Sequence, residues 1–137
     1  MSYGVSAALQ AGVYQALIAD TALGALVGAD IYDAIPSGTV PSLYVALGPE
    51  LAKDRSDKTG NGAEHEFTVS VLTDSAGFAS AKGAAAAISD ALVDADITLS
   101  RGSLVSLNFY RAKAVRVGTG DDRRIDLTFR ARVQDSQ

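Results

Sequence analysis

The sequence predicts an α+β domain, a single antiparallel β-sheet with helices packed on one face. Three observations lead there. Apolar residues recur at helical spacing in two stretches, around residues 11 and 85, and alternate strictly with polar ones in two others, around residues 69 and 128. The order of these stretches also lacks the regular strand–helix alternation of a doubly wound fold. The 137 residues suit one domain, 1–137, large enough to bury a single core without metal or disulfide staples.

Residues 3–19 place Val5, Leu9, Val13 and Leu17 four apart, one stripe of a helix, with Ala8, Gly12 and Ala16 beside it small enough for close approach. Asp20 can cap the short helical stretch TALGALV, and Gly28 stops it. The segment IYDAIPSGTVP is too rich in Pro and Gly for helix, whereas SLYVALG, residues 42–48, is apolar, aromatic and β-branched enough for a buried strand. Residues 49–63, PELAKDRSDKTGNGA, carry mixed charge and almost no apolar anchor, which predicts a long exposed loop. EHEFTVSVLTD then alternates, with Phe67, Val69 and Val71 on one face and Glu66, Thr68 and Ser70 on the other. Phe78, Ala81, Ala85, Ile88 and Leu92 define a helix over residues 78–94, with Asp74 or Ser75 as its N-cap. Two last strands, SLVSLNFYRAKAVRV and RRIDLTFRARV, are joined by GTGDD as a long hairpin. Ile125, Leu127, Phe129, Ala131 and Val133 form its inner face, and Arg124, Asp126, Thr128, Arg130 and Arg132 its outer one.

Charge is split along the chain. Residues 1–100 hold four Lys/Arg against twelve Asp/Glu and residues 101–137 hold eight against four, so halves of −8 and +4 give the net −4. An acidic total disfavours tight nonspecific nucleic-acid binding, and a basic end on an acidic body suits contact between protein molecules. Having no cysteine, the chain cannot form disulfides, thiolate zinc sites or a cysteine nucleophile, which fits a reducing cytoplasm. No apolar run reaches the roughly 20 residues that span a bilayer, and MSYGVSAALQ lacks the shape of a signal peptide. The expectation is a soluble, unexported protein without membrane contact.

No constellation is built for chemistry. His65 is the only histidine, and its strand neighbours Glu64 and Glu66 point to the opposite face, so the three cannot chelate one ion. TDSAG around Ser75 lacks the glycine that precedes a serine nucleophile and sits where a helix cap belongs. Asp94 and Asp96 begin like a calcium loop, but Leu99 and Val105 stand where glycine and glutamate are required. Gly118, Gly120, Asp121 and Asp122 read as turn residues, with no helix or lysine to complete a phosphate loop. The expectation is a non-enzymatic protein with no cofactor or metal. The basic residues Arg111, Lys113, Arg116, Arg124, Arg130 and Arg132 lie along two paired strands and could gather into a patch. A single-strand nucleic-acid platform would need exposed aromatics among them, and only Tyr110 qualifies, because Phe109 and Phe129 fall in apolar registers.

The succession ALQAGVYQAL, ADTALGALVGADIYDAIP, PSLYVALG, KTGNGAEHEFTVSVLTDSAG and ITLSRGSLVSLNFYRA resembles the tail-terminator or tail-completion proteins of long-tailed bacteriophages and gene transfer agents over nearly the whole chain. The most specific parts are the IYDAIP turn, with Tyr32, Asp33 and Pro36, and TGNGAEHEF, with Thr59, Gly60, Gly62, His65 and Phe67. The resemblance implies a structural virion protein, assembled in the bacterial cytoplasm, that forms a homohexameric ring at the head-proximal end of the tail tube. Such a ring stops tube polymerisation and joins the tail to the neck. Its implied partners are its own copies, the tail tube protein and the neck or head–tail connector protein, with DNA passing through the lumen without specific binding.

Within residues 50–63, Glu50, Lys53, Asp54, Arg55, Asp57, Lys58 and Thr59 are the expected contact to an adjacent ring, and the six basic residues of the hairpin are the expected subunit or neck interface. The charged tip GTGDDRR departs from a typical member, so no contact of that tip is carried over. The alternatives are a nucleic-acid-binding or regulatory module using the arginine-rich hairpin, and a small hydrolase around Ser75 and His65.

Overall fold

A computed structural model describes residues 3–33, 38–56, 61–74, 78–118 and 122–135. The chain runs α1 (Ser6–Ala19), α2 (Thr21–Val27), β1 (Ile31–Tyr32), β2 (Leu43–Asp54), β3 (Asn61–Thr73), α3 (Ala79–Leu92), β4 (Ser103–Arg116) and β5 (Arg123–Asp135). The five strands form one sheet in the order β1-β2-β3-β5-β4, antiparallel except for the short parallel pair β1–β2.

The expected stripes are the core. The N-cap Val5 with Leu9, Val13 and Leu17 of α1, and Ala81, Ala84, Ile88 and Leu92 of α3, are buried against Val69, Val71, Leu127 and Phe129 of the central strands. Phe67 and Phe129, paired across β3–β5, stack with centroids 5.7 Å apart. Asp20 caps α2 as expected, accepting from Leu23 N–H at 2.9 Å, and Gly28 ends it at φ 60°. A Cβ at Gly12 would stand 2.9 Å from Ile97, so glycine there lets the 97–99 segment cross α1 closely.

Three expectations need correction. Residues 49–63 are not one long loop. β2 continues to Asp54 and β3 begins at Asn61, with Glu50 opposite Phe67 and Asp54 opposite Ala63. The ladder is held by polar cross-strand partners such as Lys53 and Glu64, 3.4 Å apart, and therefore carries no apolar period to read. Its one interruption falls between Leu47 and Glu50, where Pro49 has no N–H to offer a ladder. Gly62 closes the far end: its carbonyl accepts from Arg55 N–H at 2.8 Å, and a Cβ there would lie 2.6 Å from the Arg55 carbonyl.

The N-cap of α3 is Phe78, without a side-chain bond, whereas Asp74 N–H instead donates to the Ser42 carbonyl at 3.0 Å and Ser75 lies outside the described residues. Phe109 keeps its inward register, edge-on to Phe129 at 6.0 Å, yet is 45% exposed. The helix layer covers β4 at Leu107, whose carbonyl accepts from Asp94 N–H at 2.9 Å, and from Asn108 to Ala114 every residue of β4 is exposed.

Candidate functional site

Glu50 and His65 meet across β2 and β3 at the foot of α1. His65 is fully buried, and its Nδ1 lies 2.8 Å from Glu50 Oε2. A carboxylate only accepts, so Nδ1 is the donor. The same carboxylate accepts from the hydroxyls of Tyr3 at 2.5 Å and Ser6 at 2.9 Å, and the Tyr3 ring lies over the imidazole at 6.0 Å. Burial pushes the Glu50 carboxyl up, but the bonds from Tyr3, His65 and Ser6 outweigh it and hold the group below its ordinary value. His65 Nε2 is buried with no partner among the described residues. Ser75, the other member of the hydrolase pairing, lies outside the described residues. The four groups therefore pin the start of α1 to the sheet. Arg101 makes a second pin, donating to both oxygens of Asp135 at 3.0 and 2.9 Å, with Gly4 beneath its guanidinium. Neither pin was legible in the sequence, because their bonds join residues 15 to 47 positions apart.

The remaining residues expected to reach an adjacent ring are placed as follows. Lys53 and Arg55 both face Glu64, at 3.4 and 3.8 Å, and Asp54 accepts from the Ser56 backbone N–H and hydroxyl at 3.0 and 2.6 Å. Asp57, Lys58 and Thr59 lie outside the described residues. Leu51, 63% exposed on the strand between them, was missed because a lone apolar residue among charges gives no periodicity.

The basic residues divide into two groups. Arg130 donates to Glu66 at 2.8 Å and lies 3.6 Å over the Tyr110 ring, and Arg124 donates to Asp126 at 3.1 Å, so both have partners within the chain. Arg111 and Lys113 stand on the outer face of β4 beside a groove of about 780 Å³, floored by Thr68, Ser70 and Thr128. The groove also contains Asp126, which accepts from Ser70 at 2.6 Å, so its charge is mixed and it is no continuous phosphate track. By register Arg116 sits opposite Arg123 and Arg132 opposite Glu64 and Ser106.

No curated protein matches the chain. A solved structure of the virion of a native gene transfer agent particle contains a chain with 64% sequence identity and a TM-score of 0.92, the match covering 97% of this chain and 99% of that one. The family described as tail completion protein gp17 matches residues 11–134. The chain belongs to that tail completion family.

Proposed function

We propose that the chain is the structural subunit of a homohexameric ring that caps the head-proximal end of a tail tube, ends its growth and joins it to the neck. The observation that carries this reading is the family match across residues 11–134, supported by near full-length similarity to a chain of a gene transfer agent virion. Physically, a tube of stacked rings grows because each ring offers the next a complementary head-to-tail surface, and growth continues until something covers that surface. A capping ring matches the tube on one side and differs on the other. The tip of the β2–β3 hairpin, Lys53, Asp54 and Arg55 with Asp57, Lys58 and Thr59, is the element assigned to the adjacent ring. The Glu50 carboxylate anchors the base of that hairpin.

The test is complementation of a null strain with Arg55, Asp57, Lys58 and Thr59 all changed to Ser, which leaves the β2–β3 ladder intact. The expected outcome is a folded subunit and particles with tails of uncontrolled length in electron micrographs. Capped, transfer-competent or infectious particles of normal length would remove the tip from the mechanism.

A further inference from the structure

The helices pack on the face of the sheet that carries Val69, Val71, Leu127 and Phe129, and among the described residues they leave the other face open. Across the middle of that outer face runs the groove of about 780 Å³, floored by the small side chains of Ala46, Thr68, Ser70 and Thr128 and bounded at β4 by Arg111 and Lys113. By register these two cations stand beside Thr128 and Asp126, on the same face as the groove. Asp126 is already engaged by Ser70 and Arg124. Arg111 and Lys113 make no ion pair among the described residues, so the basic end of the groove lacks an anion.

On the opposite side of the subunit, α3 carries what the groove lacks. Gly83, Ala86 and Asp90 follow one another at helical spacing along its solvent side, all exposed, and a Cβ at Gly83 would meet nothing within 4 Å. The helix ends at its C-cap Val93, the chain turns at Asp94 with φ 56°, and Asp94 and Asp96 are exposed like Asp90. The side chains of these three carboxylates take no hydrogen bond or ion pair among the described residues. No basic residue stands in the last turn of α3 to answer the partial negative charge of a helix end.

The dimensions agree. Three gaps of about 4.8 Å between four strands make the groove about 14 Å long from β2 to β4. α3 rises about 15 Å from Gly83 to Val93. Along β3, Thr68 and Ser70 lie between the larger Glu66 and Leu72, about 20 Å apart, which leaves room for a helix about 10–12 Å across.

We propose that this groove receives α3 of a second copy of the chain, with Gly83 and Ala86 over the hydroxyl floor and Asp90, Asp94 and Asp96 against Arg111 and Lys113. The charges set the direction: the C-terminal end of α3 lies over β4, and its start points to β2, where Leu47, Gly48 and Pro49 carry no charge. The helix layer and the outer sheet face are opposite sides of the subunit, so the contact is head-to-tail and can be repeated around a closed ring. The pairing rests on the ring reading above, to which it adds the two mating surfaces.

The absence of native cysteine makes the test direct. Ala86→Cys and Thr128→Cys are introduced singly and together into the full chain, and each protein is treated with a short bismaleimide while native mass is measured in parallel. Thr68→Cys takes the place of Thr128→Cys if the latter does not fold. The expected result is a ladder of linked species up to the complete ring for the double variant, and a linked dimer when the two single variants are mixed. Each single variant alone gives neither. Adding Arg111→Glu and Lys113→Glu to the double variant should cut the linked fraction about tenfold, and adding Asp90→Lys and Asp96→Lys to that protein should restore it. A ring by native mass with no ladder, or a ladder that the Glu changes leave intact, would overturn this pairing and leave the ring reading standing. A monomer at every concentration, with no linked species, would overturn both.

Discussion

The two long hairpins, β2–β3 and β4–β5, are built alike and finished differently. At the end of β2–β3 the described carboxylates are partnered within the chain: Glu64 takes Lys53 and Arg55, and Glu50 takes His65, Tyr3 and Ser6. In β4–β5 only one strand is finished. β5 is buried along its inner face, while β4 is exposed from Asn108 to Ala114 although it follows the same register. The difference teaches that hydrogen-bonded pairing and burial are separable. A strand can be ordered by its neighbour's backbone while its side chains stay exposed.

The strongest break of this comparison sets Leu127 against Ala112, which face each other across β5 and β4. Leu127→Asp places a charge in the core and should cost about 4 kcal/mol or more. Ala112→Asp should stay within about 0.5 kcal/mol, as an exposed substitution does. Urea melts of both variants decide it, and equal destabilisation would mean that the exposed stretch of β4 is part of the core.

A middle-sized effect is expected at the pin. Glu50→Ala strands the buried His65 Nδ1 and should cost about 1–3 kcal/mol. The native Glu50 carboxyl sits below its ordinary value of 4.5, so its stabilisation is present above that pH and is lost as the pH falls through the lower folded value. Melting temperatures taken from pH 6 downwards should therefore fall more steeply for the parent than for Glu50→Gln, over roughly the range where free carboxyls titrate, near 4. Parallel curves would show that the Glu50 charge does not stabilise the fold.

The smallest effect sharpens the contrast between the arginines. Arg130→Ala removes the Glu66 bond and the Tyr110 stack and should lower the melting temperature slightly, whereas Arg111→Ala should leave it unchanged. Thermal melts of the isolated subunit measure both.

What could be read from the sequence follows the same division. Val5, Leu9, Val13 and Leu17, or Ile125, Leu127 and Phe129, announce themselves because a face buried by its own chain imposes a period on the residues. The extension of β2 to Asp54 was illegible, since its stabilising partners are charges some ten or more residues away and such pairs leave no local pattern. The exposure of Phe109 was illegible for another reason: its register is correct, but where the helix layer stops depends on the whole fold. Among the candidate residues, spacing put Arg124, Arg130 and Arg132 on one outer face, and only three-dimensional placement shows that Arg130 already holds Glu66 and Arg124 already holds Asp126.

The irregularities of β4 bear on how such a subunit survives before it is assembled. Its ladder slips between Leu104 and Ser106 and again between Phe109 and Arg111, so Val105 and Tyr110 are extra residues in an otherwise even edge. A straight apolar edge of fourteen residues would be a template for adding strand after strand without limit. Two slips in register and a run of arginine and lysine make this edge hard to copy. The subunit can thus remain dispersed at the concentrations at which a structural protein is made.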